Sequence, residues 1–330
     1  MTAQPQTAHP QPVPAAPPAA PTAAESPASR LARWRQSDLW WSFTRNRGAM
    51  AAAGLLVVLI VSAFAAPLYV PQNPFDPAQL DLLNAEYPPI WLEGGQWPFL
   101  LGTDTQGRDI LSAILYGSRI SVLIGLASVV LALVVGIGTG LVAGYYGGLI
   151  ENLLMRFGDI LLSIPTILIA ILVSAIVREL LPPSLREVGA GGVLVLAIVL
   201  SGWVQYARTV RAQTAVERGK EYVQAAQLLK VPARRIMFSH ILHNTLTPIF
   251  VAATLNFGMA ILTEATLSFL GIGMPASQPS LGTLIRLGNQ FLFSGMWWIT
   301  VFPVLQLCLL VVSVNILGDW LRDALNPKLR

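Results

Sequence analysis

ISVLIGLASVVLALVVGIGTGLVAGYYGGLI, residues 120–150, runs from Arg119 to Glu151 without a single Asp, Glu, Lys or Arg. A helical bilayer crossing needs about 20 apolar residues, so this stretch is long enough for one tilted span with an interfacial end. Other blocks repeat the pattern. Gly48–Val70 forms the first span, Ile160–Val177 lies between Asp159 and Arg178, and Val188–Ala207 lies between Glu187 and Arg208. A fifth span runs from about Leu246 through Glu264 to Leu270, and a sixth occupies much of Leu287–Gly318. Composition agrees: 54% of residues are hydrophobic and 12% charged, against about 25% charged in soluble domains. The sequence therefore predicts an all-α polytopic membrane protein with six transmembrane helices. Gly136, Gly138, Gly140, Pro165 and Pro303 fall inside these spans, where close packing of neighbouring helices tolerates them.

Basic residues set the expected orientation. Arg30, Arg33, Arg35, Arg45 and Arg47 precede the first span, and Arg208, Arg211, Arg218, Lys220, Lys230, Arg234 and Arg235 follow the fourth. Residues 71–100 hold Asp76, Asp81, Glu86 and Glu93 and no basic residue. The positive-inside rule then places both termini and residues 208–243 in the cytoplasm. Net charge is only +4, and its placement speaks of membrane orientation and excludes a nucleic-acid partner. The Pro- and Ala-rich residues 1–28 read as a disordered cytoplasmic tail without the apolar core of a cleavable signal. The basic residues 29–47 lead from it into TM1 at 48–70. Residues 71–117 form an external segment, either a cover for the outer mouth or a plain connector. Residues 118–320 form the five-helix core, and 321–330 a cytoplasmic C-terminus. Cys308, the only cysteine, sits in an apolar block and reads as a small buried hydrophobe.

Between spans four and five lies EYVQAAQLLKVPARRIMFSHILHN, residues 221–244. Helical spacing puts Tyr222, Ala225, Ala226 and Leu229 on one face. Lys230, Val231 and Pro232 interrupt, and proline suits the first turn of a following helix, so Ala233–Leu242 is expected as a second short helix at an angle. Two readings stand on these residues alone: a hairpin whose paired alanines admit another protein's surface, ringed by Arg218, Glu221, Arg234 and Arg235, or an amphipathic helix lying on the inner leaflet.

Four stretches carry a family resemblance: LGTDTQGRDILSAILYGSRIS at 101–121, EYVQAAQLLKVPARRIMFSHIL at 221–242, AILTEATLSFLGIG at 260–273 and NILGDWLRDALNPKLR at 315–330. The second resembles the cytoplasmic EAA loop of ABC-importer permeases, whose helix docks into a cleft of the ATPase subunit. The chain from about residue 35 onward is similar to the C-type permease subunit of dipeptide and oligopeptide importers. The resemblance implies a type I ABC importer permease fold in a bacterial inner membrane. It also implies a second homologous permease, two ABC ATPases and an extracytoplasmic substrate-binding protein as partners, beside the membrane lipid. Glu221, Tyr222, Val223, Gln224, Ala225, Ala226, Leu229, Lys230, Arg234 and Arg235 become the expected ATPase-coupling residues. Two positions depart from the pattern: the loop's usual turn glycine is Lys230, and a usual proline is His243. A non-glycine residue at positive φ costs on the order of 1 kcal/mol, so the turn is either reshaped or strained. Gln224 stands where the name-giving glutamate would be.

Ionisable residues in or near the spans are the other candidates. A carboxylate at mid-membrane depth costs roughly 2.5 kcal/mol or more, so Glu264 should face protein or a polar cavity, as a gate or as a buried structural acid. Asp159 reads as the interfacial start of the third span. Arg119 and Asp109 sit at the outer end of the second, as members of a structural salt link, with Thr103 or Asp104 capping the helix. His240 and His243, three apart, have a spacing that can hold a metal, but no acidic or cysteine ligand accompanies them and none is expected. The chain lacks G-x-x-x-x-G-K-[ST], H-E-x-x-H and G-x-S-x-G. It is thus expected to be non-catalytic and to hold no cofactor, with ATP and Mg bound by partner ATPases. The expected cargo is a dipeptide or oligopeptide; nickel chelates, glutathione and peptide-like antibiotics are alternatives within the same type. A secondary transporter or channel is the alternative from another class, weakened by the absence of an internal repeat.

Overall fold

A computed structural model describes residues 38–187 and 189–325. The tail 1–28, residues 29–37 of the basic segment and residues 326–330 lie outside the described residues. The chain divides into two units, 1–42 and 43–330; of the first, only residues 38–42 are described, and the architecture below is that of the second. Following α1 (Asp38–Arg45), α2 (Arg47–Ala65) starts at Asn46, whose side chain accepts the Ala49 N–H at 3.0 Å. Such a cap satisfies one of the donors every helix start leaves free.

The second long helix, α3 (Ile110–Tyr146), has 37 residues, a length of about 55 Å. It begins ten residues before the uncharged stretch does. Asp109 is its cap, accepting the Ser112 N–H at 2.8 Å, in place of the expected Thr103 or Asp104. Arg119 therefore lies inside the helix, its guanidinium 5.4 Å from the centre of the Phe64 ring. Ten residues of helix put it about 15 Å from Asp109, and among the described residues the two share no ion pair. The expected salt link is absent for that reason.

The third block also departs from a simple span. α4 (Gly148–Ser163) and α5 (Thr166–Leu180) meet at 94°. Ile164 is extended, at φ −97° and ψ 133°, because a residue preceding proline is driven out of the helical region, and Pro165 follows. α6 (Pro183–Arg186) and α7 (Ala190–Arg218) come next, then α8 (Glu221–Leu228) and α9 (Ala233–Arg235). A π-turn, Ile236–Ile241, leads into α10 (Leu242–Phe269). The expected sixth span is two helices, α11 (Leu281–Asn289) and α12 (Trp298–Ala324), parted by a turn with Gly295 at φ +90°. Among the described residues, five helices are long and apolar enough to cross a bilayer, or six if α4 and α5 count as one span. No strand occurs among the described residues.

The most extensive packing joins α3 to α7. Gly136, Gly140 and Gly144 recur every four residues along the contact, and a Cβ on each would come within 2.5, 2.6 and 2.6 Å of the Tyr206 Cβ, the Ala207 carbonyl oxygen and the Thr214 Cβ. Small residues at that spacing let two helix backbones approach where apolar area supplies no driving force in lipid. A second core gathers Ile261, Leu281, Leu307 and Leu310 from α10, α11 and α12. A third gathers Leu141, Val210, Val223, Ala226, Ile236, Ile241 and Ile249 beneath the polar hairpin. Residues 71–109 are closed on themselves by Gln72, which accepts the Asp109 N–H at 2.9 Å, and are tied to this body by Trp298, whose indole donates to the Thr103 carbonyl at 3.1 Å. Cys308 is exposed, contrary to expectation: it lies on the face of α12 turned away from the other helices.

Candidate functional site

The polar hairpin is held at its base by a chain of side chains. Glu217, in the last turn of α7, accepts the Lys220 ammonium at 2.5 Å and the Tyr222 hydroxyl at 2.6 Å, and Asn244, at the start of α10, donates to the Tyr222 oxygen at 3.0 Å. Tyr222 thus joins the two limbs. The hydrogen bond to Glu217 lifts the Lys220 pKa above its ordinary value. Burial, with the same carboxylate second, lifts that of the Tyr222 phenol. Gln224 turns back to donate to the Gly219 carbonyl at 3.1 Å.

Lys230 has φ +55°, so the turn keeps its left-handed residue although that residue is not glycine. The Lys230 N–H donates to the Gln227 carbonyl at 2.9 Å and the Val231 N–H to the Ala226 carbonyl at 3.0 Å. Those two bonds are the Schellman closure of a helix, and Val231 completes it by packing on the core that holds Ala226. Strain, and no reshaping, is the outcome of the missing glycine.

Burial corrects the expected face. Val223 and Ala226 point into the chain's own core, at 0% and 8% exposure, against Ile236 and Ile241. Ala225 faces out, as do Glu221, Gln224, Arg234 and Arg235. Leu229 is 79% exposed because it is the residue at which the helix ends, and Leu228 beside it is 85% exposed. The paired alanines are therefore not a pair: one packs inward and one presents a small patch beside two bare leucines. Arg234 and Arg235 enter no ion pair among the described residues. The expected second helix at an angle, Ala233–Leu242, is not separate either, since α9, the π-turn and α10 make one helical run, Ala233–Phe269. Residue 243 is a histidine with an N–H to give, where a proline would interrupt. His240 Nδ1 sits 3.2 Å from the Arg235 carbonyl.

Glu264 is wholly buried. The Ser121 hydroxyl of α3 donates to one carboxyl oxygen and the Ser268 hydroxyl to the other, both at 2.7 Å. Ser121 in turn accepts the Leu281 N–H at 3.3 Å and Ser268 the Met274 N–H at 3.2 Å. The carboxyl ties α3, α10, the connection 270–280 and the start of α11 into one knot. Asp159 is not a span start; it lies within α4 and pairs with Arg208 of α7, as Glu151 pairs with Arg211. Sequence reasoning missed Glu217, Asn244 and Leu228. The first is an acid inside a basic run, which was a usable signal; the other two carry none until the hairpin is folded.

A family model described as "Binding-protein-dependent transport system inner membrane component" matches residues 136–330, and one described as "N-terminal TM domain of oligopeptide transport permease C" matches residues 33–89. The di/tripeptide transport system permease protein DppC of Pseudomonas aeruginosa (strain UCBPP-PA14) is 39% identical over 89% of this chain and 92% of its own length. The dipeptide transport system permease protein DppC of Escherichia coli (strain K12) is 41% identical over 89% and 93%. The oligopeptide transport system permease protein OppC of Bacillus subtilis (strain 168) is 37% identical over 91% of both. With its helical bundle, polar hairpin and matched length, the chain belongs to the family of binding-protein-dependent transport system inner membrane components, among the dipeptide and oligopeptide permeases.

Proposed function

We propose that this chain is one membrane subunit of an ATP-driven importer of short peptides, paired with a second permease of its kind and itself non-catalytic. An extracytoplasmic binding protein hands over the peptide, and two ATPases, which hold ATP and Mg, sit against the hairpins. The basic residues about the hairpin and before α2 favour a cytoplasmic location for that end and for both termini, in a bacterial plasma membrane. The observation that carries the reading is the build of the hairpin. Its base is braced by Glu217, Tyr222 and Asn244, its turn is closed at Lys230, and its tip offers Ala225, Leu228 and Leu229 beside unpaired arginines. A small apolar knob with a cationic rim suits a protein cleft, and a braced one transmits displacement as a rigid body. Two discrete arrangements of the ATPases then bias two arrangements of the bundle.

The test uses Ala225, whose side chain meets solvent. Ala225→Glu is expected to leave the chain in the membrane at normal abundance and to cut peptide uptake by reconstituted complex at least tenfold while ATP hydrolysis continues. Unchanged uptake would remove the docking assignment.

A further inference from the structure

A cavity of about 400 Å³ opens where α4 and α5 break, between α3, α7 and α10. Its lining contains no Asp, Glu, Lys, Arg or His, yet it is not dry in character. Ser128 and Tyr206, at 0% and 2% exposure, stand in its wall, and their hydroxyls find no hydrogen-bond partner among the described residues. Tyr206 lies beside the Asn256 amide without closing a bond to it. The Gln205 amide lines the same space. A buried hydroxyl left without a partner costs on the order of 1–3 kcal/mol, and two in the wall of one cavity are relieved if an occupant with polar groups of its own draws them inward.

The break supplies a further donor set. Pro165 takes the N–H of Leu168 and Ile169, leaving those of Thr166 and Ile167, the first helical residues of α5, at the cavity wall. The positive end of a half-helix at such a break favours a carbonyl or carboxylate oxygen. Amides answer both halves of a peptide bond, its N–H and its C=O, while a lining without charges is indifferent to the sign of a cargo's side chains. Resting on the peptide-import reading above, we propose that this cavity is a transit site that holds the main chain of the passing peptide, an oxygen toward the first turn of α5 and the amides against Tyr206, Asn256 and Gln205. A volume of this size accommodates one or two residues at a time.

Gly202 provides the means of closing it. It lines the cavity, and a Cβ there would meet nothing within 4 Å, so Gly202→Leu fills the space without pressing on backbone. The experiment uses the whole complex in liposomes: this chain, its companion permease, the ATPases and the binding protein. The probe is a radiolabelled alanine tripeptide with a photoreactive diazirine at its central residue, irradiated during turnover. Adducts at residues 201–206 or 256–263 that need ATP and are competed by trialanine, with uptake lowered about tenfold in Gly202→Leu and in the packing-neutral double variant Ser128→Ala/Tyr206→Phe, support the site. Wild-type uptake with adducts only elsewhere, or with both variants within twofold of wild type, overturns it. The same holds if a diazirine amino acid placed at position 259 captures only lipid or the companion permease. Absence of any ATP-dependent peptide uptake by the wild-type complex overturns the import reading itself and is distinguished from those results by that.

Discussion

Lys230 holds a backbone shape in which a side chain is tolerated at a cost of about 1 kcal/mol. Replacing it by glycine is expected to stabilise the hairpin by up to that amount, read as slower hydrogen exchange of the Val231 amide, whose bond to the Ala226 carbonyl closes the turn. A turn that had abandoned the left-handed residue would gain nothing from the change. The position of this strain was legible in the sequence, since a lysine stood in a glycine's place. Whether the backbone would yield was not, because that depends on Val231 having a core to pack into, and Ile236 and Ile241 supply it from beyond the proline. The same core explains why Ala225 and Ala226 have different fates despite being identical neighbours: one hundred degrees of helix turn puts the second against Ile236 and leaves the first outside.

Among the helices, the seam between α3 and α7 sets the tolerance of the bundle. Gly140→Leu drives a side chain into the Ala207 carbonyl and the Val210 Cβ, both 2.6 Å from where its Cβ would be. It is expected to cost more than about 3 kcal/mol, seen as loss of monodisperse protein after detergent extraction. Gly138→Ala, whose Cβ meets nothing within 4 Å, should extract as wild type and can gain slightly in helix propensity. The sequence named both glycines without separating them. The start of α7 was legible to within two residues, but its end was not, since the helix runs on past Ala207 through Arg208 and Arg211 to Arg218. The start of α3 was not, because Arg119 looked like a boundary while its guanidinium is accommodated over Phe64 inside the helix. Pro165 was visible as a tolerated proline; that it turns the chain by 94° is a property of Ile164, which it forces to extend. The break at Gly295 was hidden by apolar residues on either side.

Across the molecule, the Glu264 knot fastens parts of the chain far apart in sequence. Glu264→Ala would strand the hydroxyls of Ser121 and Ser268 in a buried site, costing about 3 kcal/mol, whereas Glu264→Gln keeps an acceptor and should cost about 1 kcal/mol. Thermal aggregation curves of the two purified variants give the order; equal midpoints would show that the carboxyl fastens nothing. Sequence reading singled out the acid by its depth but not its serines: Ser121 lies on another helix, and Ser268, one turn further along α10, is one of many small polar residues in the spans. The helical run Ala233–Phe269 carries one limb of the hairpin, then Asn256 and Met259 at the cavity, then Glu264. Sites joined by one helical run obey reciprocity: by whatever factor a partner at the hairpin alters affinity at the cavity, a guest in the cavity alters affinity at the hairpin by the same factor. On the import reading proposed above, the cargo would have as much say over the motor's grip as the motor has over the cargo.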